Sequence, residues 1–478
     1  VTGVQTCALP ILSTQPKAII SESDTTARGP LGLLLVSAFA WLIVSTILSL
    51  VGTIQLHTPD FLASCVAFTH GRVEAMQESA YIYGWAGNIV FAVALWLLSV
   101  LGGAPLRGPG LLSAGTLFWN LGVTAGVVAI GAGEATSIPY LQMPGYVQPL
   151  LFVAAGAITT PAVLAWTGRN SDSTYASQWY ALAGVFLFPW VFSAAQVMLL
   201  ATPVHGLTQS IVAAWFGQGV ISLWLLPVAL ASAYYLLPKL SGRPAFHYEF
   251  AKHGFWTLVV LGAWTGGRHL IGSPAPAWVS SVAVVALYLL LFHYVIVALN
   301  LPAGLTGWKG PITLRFVAFG LTAYVLSGLG DVVTANHGVA ALLQHTYFSV
   351  AQGKLLFGGA FSFLMFAAVY EMGPRVVGSA WPSPGLIRTH FLAAVAGTLL
   401  SVLGLAIAGW SQGRAQAETA VNFTAVAAAA KPGLLIATAG DAVLLLAALL
   451  VFTHLVRLQC ESCLAACGPR SASAPSAP

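Results

Sequence analysis

Four short polar groups interrupt the apolar stretches of this chain: Gln77 beside Glu78, Gln218, Arg268 beside His269, and Gln352 two residues before Lys354. Residue type limits their chemistry. Only His269 offers an imidazole to a metal. Glutamine is a poor ligand, arginine keeps its proton and offers no lone pair, and lysine ligates only after losing its proton. Charge pairing and proton handling are open to Glu78, Arg268 and Lys354, and a path of these three through a membrane would make a transporter or proton channel. A charge inside a membrane helix costs about 2.5–3.5 kcal/mol on the insertion scale, so Arg268 and Lys354 are expected to have partners. Near the end of the chain, Cys460, Cys463 and Cys467 form a Cys-x-x-Cys-x-x-x-Cys run. It lacks a clear fourth ligand beyond His454 and is read as free or acylated thiols on a solvated tail. No Cys-x-x-Cys-His run occurs, which excludes a covalently attached c-type haem.

The elements that must position these residues are membrane helices. Of the 478 residues, 58% are hydrophobic and 6% are charged, whereas water-soluble domains carry roughly 25% charged residues. That excludes a soluble enzyme, and the thinly spread net charge of +5 excludes a nucleic-acid partner. A helix needs about 20 apolar residues to cross the hydrocarbon core. Twelve such runs are expected, over 31–51, 80–101, 111–131, 148–167, 177–201, 207–237, 252–272, 277–300, 312–332, 347–371, 388–410 and 433–456. Thirteen of the 18 Lys and Arg fall in the first segment, the loops after even-numbered spans or the tail; the other side holds Arg72, Arg414 and Lys431. This asymmetry places both termini in the cytoplasm. Residues 1–30 read as an N-terminal segment without a signal peptide, of which 1–11 (VTGVQTCALPI) look foreign to the protein. Residues 31–457 form the membrane domain, and 458–478 a cytoplasmic Cys/Ser/Pro tail expected to be disordered. Glu134, Asp331 and Glu371 lie near span ends and are read as solvated. Trp179, Tyr180, Trp190, Tyr234 and Tyr235 are read as an interfacial belt.

Five segments carry a resemblance: GRVEAMQESAYIYGWAGN (71–88), SQWYALAGVFLFPW (177–190), AAWFGQG (213–219), SAYYLLPKLSGRPAFHYEFAKHGFWTLVVLGAWTGGRHL (232–270) and SVAQGKLLFGGAFSFLMFAAVYEMGPR (349–375). In order and spacing they resemble subunit I of the haem-copper oxidases, most of all the cbb-type (C-family) cytochrome c oxidases, over about residues 31–457. The resemblance implies an all-α bundle of twelve transmembrane helices with cytoplasmic termini, and six histidines that hold a low-spin haem, a high-spin haem and a copper. At those positions this chain reads Gln77, Gln352 and Lys354 for the haem ligands, and Gln218, Arg268 and His269 for the copper ligands. Gly262 stands where the family has its active-site tyrosine. Two residues along a helix turn through about 200°, which lets Gln352 and Lys354 address opposite faces.

These departures lead to an expectation of a subunit I-like protein that has lost its haem and copper centres and serves the respiratory chain as a structural, assembly or regulatory component. No cofactor and no metal are then expected. Helices two and ten should close on each other with Lys354 bonded to Gln77 or Glu78, and Arg268, Gln218 and Gln352 should fill the second cavity as one polar network. The rival is an active terminal oxidase or related reductase with haem b and copper. Either way, the expected surroundings are the lipid bilayer of a bacterial inner membrane and other respiratory oxidase subunits, without nucleic acid.

Overall fold

Long apolar runs with few charges satisfy every backbone group internally only as helices in hydrocarbon, and in the computed structural model the regular elements among the described residues are helices. It describes residues 17–170, 174–306, 310–418 and 420–467. The principal helices are α1 (Lys17–His57), α2 (His70–Gly102), α3 (Pro109–Ala132), α4 (Gln148–Thr167), α5 (Ala176–Ala201), α6 (Leu207–Ser241), α7 (Tyr248–Leu261), α8 (Ala277–Ala298), α9 (Ile312–Thr334), α10 (Tyr347–Val377), α11 (Pro384–Ala417) and α12 (Phe423–Cys467). Among the described residues, eleven helices are long and apolar enough to cross a membrane. The exception is the run expected over 252–272. There α7 gives way to a 3-10 segment, Gly262–Leu270. Glycines drive this change, since a Cβ on Gly262 would strike Ser222 and one on Gly266 would strike the Ala214 carbonyl. The segment is thereby pressed onto α6.

Helices α2 and α6 are buried along their apolar length and form the centre of the bundle. Trp85, Trp96, Trp119 and Trp224 fill the space between them and their neighbours. The same centre takes up Tyr180, Tyr234 and Tyr235, which are buried rather than interfacial; Trp190 is exposed as expected. An amphipathic ring suits a membrane interface and a core equally well, so position near a span end did not discriminate. Helix α12 continues past residue 458 to Cys467, so the expected tail begins as helix. Residues 1–16 and 468–478 lie outside the described residues.

The packing of α11 on α12 fixes the site. Gly397 and Gly404 on α11 face Gly433 and Gly440 on α12, and each would drive a Cβ into backbone of the opposite helix. Small residues at seven-residue spacing let two membrane helices approach backbone to backbone. A Cβ on Gly404 would lie 2.5 Å from the Ala437 nitrogen. Gly404→Leu is therefore expected to lower stability by about 1–3 kcal/mol through overpacking, read as a lower melting midpoint in detergent. Gly156→Leu, at a position with nothing within 4 Å, should leave the midpoint unchanged.

Candidate functional site

Three of the four polar groups sit where their helix loosens by one residue per turn. A π-helical stretch follows Gln77 and Glu78 directly (Ala80–Ala86), another follows Gln218 (Val220–Leu225), and a third begins right after Lys354 (Leu355–Phe361). Such turns rotate the downstream face and recur at functional sites. Here each lies just after the polar side chains, on helices that are otherwise apolar.

Gln77 and Lys354 do reach one place. Both line a cavity of about 590 Å³ bounded by α1, α2, α10, α11 and α12. Helices α2 and α10 do meet, the Tyr81 hydroxyl donating to the Phe357 carbonyl at 2.8 Å, but the expected bond of Lys354 to Gln77 or Glu78 is not formed, because Lys354 turns away. Its ammonium donates to Asp441 Oδ1 at 2.9 Å, to Asp441 Oδ2 at 3.1 Å and to Ser49 Oγ at 2.7 Å. Asp441 also accepts from Ser49 Oγ at 3.0 Å, Thr53 Oγ1 at 2.6 Å and Ser401 Oγ at 2.8 Å. The carboxylate is nearly all buried at 2% exposure, and the lysine, at 25%, faces the cavity. A buried charge needs both an opposite charge and filled hydrogen-bonding capacity. Three hydroxyls from α1 and α11 provide the second condition, which Glu78 on α2 could not.

Glu78 is engaged elsewhere. One carboxylate oxygen accepts from the Tyr140 backbone N–H at 2.7 Å and the other from Gln142 Nε2 at 2.6 Å. Tyr140 has a φ of 61°, the left-handed region that costs a bulky side chain energy. Glu78 and the Tyr83 hydroxyl, which donates to the Tyr140 carbonyl, hold the loop in that shape. Burial, reinforced by the neighbouring Glu78, pushes the Tyr140 phenol far above its ordinary value. The Gln77 side chain lines the cavity.

The second group divides into separate pairs. Arg268 forms an ion pair with Asp331 at 2.8 Å, both side chains largely buried. Gln352 Nε2 donates to Thr334 Oγ1 at 3.1 Å, and Gln218 Nε2 donates to Ser222 Oγ at 3.0 Å. The expected single network is thus three local contacts. Asp331, read from its span-end position as solvated, is the partner of Arg268; Glu371 is likewise paired, with Lys239 and Arg375. Gln218, Ser222 and Asp331 border a space of about 10 Å³, room for about one water. Tyr294 and Tyr324 help fill the rest. His269 lies on the rim of another cavity, of about 530 Å³, with Gln218 and Tyr140.

Asp441 was not singled out from the sequence. The available signal was an acid in the middle of an apolar run, which demands a cation from another helix. Among the described residues no group of three or more His, Cys, Asp or Glu is placed to hold a metal ion. The side chains of Cys463 and Cys467 lie outside what the structure describes.

A family model described as cytochrome c and quinol oxidase polypeptide I matches residues 30–443. The chain is 24% identical over 355 residues to the Cbb3-type cytochrome c oxidase subunit CcoN1 of Stutzerimonas stutzeri, covering 72% of this chain and 75% of that protein. It is 23% identical over 446 residues to the cytochrome c oxidase subunit 1 of Rhodobacter capsulatus, covering 87% and 82%. Its fold is similar to that of a heme-copper terminal oxidase dimer seen by cryo-EM, with a TM-score of 0.72 at 14% identity over 93% of this chain and 84% of that one.

These matches overturn the expectation of a chain without cofactors, because the family they identify carries haem and copper. Of the six positions that the resemblance assigns to metal ligands, five carry no imidazole and only His269 does. Lys354 spends its protons on Asp441 and Ser49, Arg268 is held by Asp331, and three positions are amides. What the matches establish is kinship: this chain is a transmembrane member of the haem-copper oxidase subunit I family of the respiratory chain, cbb3-like at low identity.

Proposed function

We propose that the chain acts as a structural, assembly or regulatory subunit I homologue in the respiratory chain, with ion pairs and amides working where the family uses metal ligands. The observation that carries this reading is the Lys354–Asp441 pair. An ammonium donating to a carboxylate and a hydroxyl has no lone pair for iron. In the same reading the membrane domain spans 31–457 with twelve crossings, the run around α7 being the twelfth. Both termini lie in the cytoplasm of a bacterium, in its inner membrane. The bilayer and other oxidase subunits are its surroundings.

One observation favours the rival reading of a working oxidase. The cavity of about 590 Å³ between α2 and α10 lies open at the two positions where the family holds its low-spin haem. Absorbance and metal analysis of the purified chain decide between them. Under the proposal, the purified chain does not reduce oxygen from reduced cytochrome c at a centre of two haems and one copper. A Soret band with that stoichiometry, together with oxygen reduction from reduced cytochrome c, would establish the rival.

A further inference from the structure

The cavity bounded by α1, α2, α10, α11 and α12 is chemically lopsided. Its outer end gathers acceptors. Glu78 keeps lone pairs free beyond the two bonds it receives from Tyr140 and Gln142. Gln142 Oε1 is buried and has no partner. Exposed Glu74 stands at the same end, and Gln77 lines the wall beside it. The single cation, Lys354, is already neutralised by Asp441. Aromatic rings line the same cavity: the Phe357 ring lies 5.6 Å from that of Tyr81 and 6.3 Å from that of Tyr140. The inner end is apolar, with Phe363, Phe366, Leu444 and Ala447. It also holds Thr398, 1% exposed, whose hydroxyl has no partner. From Val350 to Phe366 the lining runs roughly 24 Å along α10, at 1.5 Å per residue. At about 590 Å³ the space is within the range of a small-molecule pocket.

We propose that this cavity binds an amphipathic organic ammonium, its N–H donors placed between Glu78 and Gln142 Oε1 and its apolar body running inward past Phe363 towards Ala447. A carboxylate, an unpaired amide oxygen and aromatic faces together recognise a cation that donates hydrogen bonds. A carboxylate head would meet Glu74 and Glu78 with like charge. An alcohol would fill the space but gain no charge-assisted bond. The inference rests on the reading that Gln77 and Lys354 face the cavity as polar side chains rather than as metal ligands.

The test is equilibrium binding of dodecylammonium, dodecanol and dodecanoate to the full chain in neutral lipid nanodiscs, read by native mass spectrometry. One dodecylammonium should bind per chain, about tenfold or more tighter than the alcohol, the increment expected of a charge-assisted bond, and dodecanoate should bind weakest. Glu78→Gln should abolish that preference while leaving dodecanol unchanged. Ala447→Phe should displace both. Should Glu78→Gln fail to fold, Gln142→Leu keeps the carboxylate and removes the unpaired acceptor, and it should weaken the amine alone. Equal binding of amine and alcohol, or an amine preference that survives these variants, would overturn the proposal. The absorbance of the same sample separates the two readings. A tetrapyrrole seated in the cavity would remove both, whereas a colourless protein indifferent to the amine would remove only this one.

Discussion

Exchanging Asp441 for alanine is expected to cost about 3–5 kcal/mol of stability, the penalty of leaving a buried charge without its partner. The loss should exceed that of any other single substitution at the site, for two reasons. Lys354 would keep only the Ser49 hydroxyl, and the hydroxyls of Thr53 and Ser401 would lose their shared acceptor. Melting monitored by size-exclusion fluorescence gives the readout. The combination of Asp441→Asn with Lys354→Met should recover most of the loss, since removing both charges of a buried pair is often neutral. Equal melting of single and double variants would show that the ion pair is not what stabilises this junction.

Arg268→Met should cost somewhat less, about 2–3 kcal/mol, because the Arg268–Asp331 pair retains some exposure and the stranded carboxylate is partly solvated. A double-mutant cycle with Asp331→Asn should return a coupling of about 0.5–3 kcal/mol. The two ion pairs share no hydrogen-bond partner. Combining Arg268→Met with Lys354→Met should therefore be additive to within about 0.5 kcal/mol. A marked departure from additivity would reveal the single polar network that the structure divides into separate pairs.

The helices were legible because bilayer hydrocarbon imposes one rule on every segment, and apolar runs near 20 residues obey it visibly. The stretch from Gly262 to Leu270 escaped, since composition does not reveal that Gly262 and Gly266 let the backbone tighten onto α6 and Gly267 onto α8. Within the site, the placement of Gln77 opposite Lys354 followed from the spacing shared with the family, and both residues do line one cavity. Their partners were hidden. Lys354 reaches 87 residues forward to Asp441 and 305 back to Ser49, and no local periodicity encodes contacts of that range. Glu78, adjacent to Gln77 in sequence, looked like the available acid, but the strained Tyr140 loop had already claimed it. The span-end position of Asp331 favoured solvation. Its burial depends on how α9 meets the segment carrying Arg268, which is a property of packing.

The bond between Lys354 and Asp441 also has a consequence for biogenesis. Ribosomes deliver α10 before α12, so the nascent chain carries an uncompensated ammonium in its tenth helix until 87 further residues have been made. During that interval the helix has reason to linger beside the translocon or lean on an insertase rather than release into lipid. A truncation just short of Asp441 would strand it there, an easy mark for the membrane's quality-control proteases.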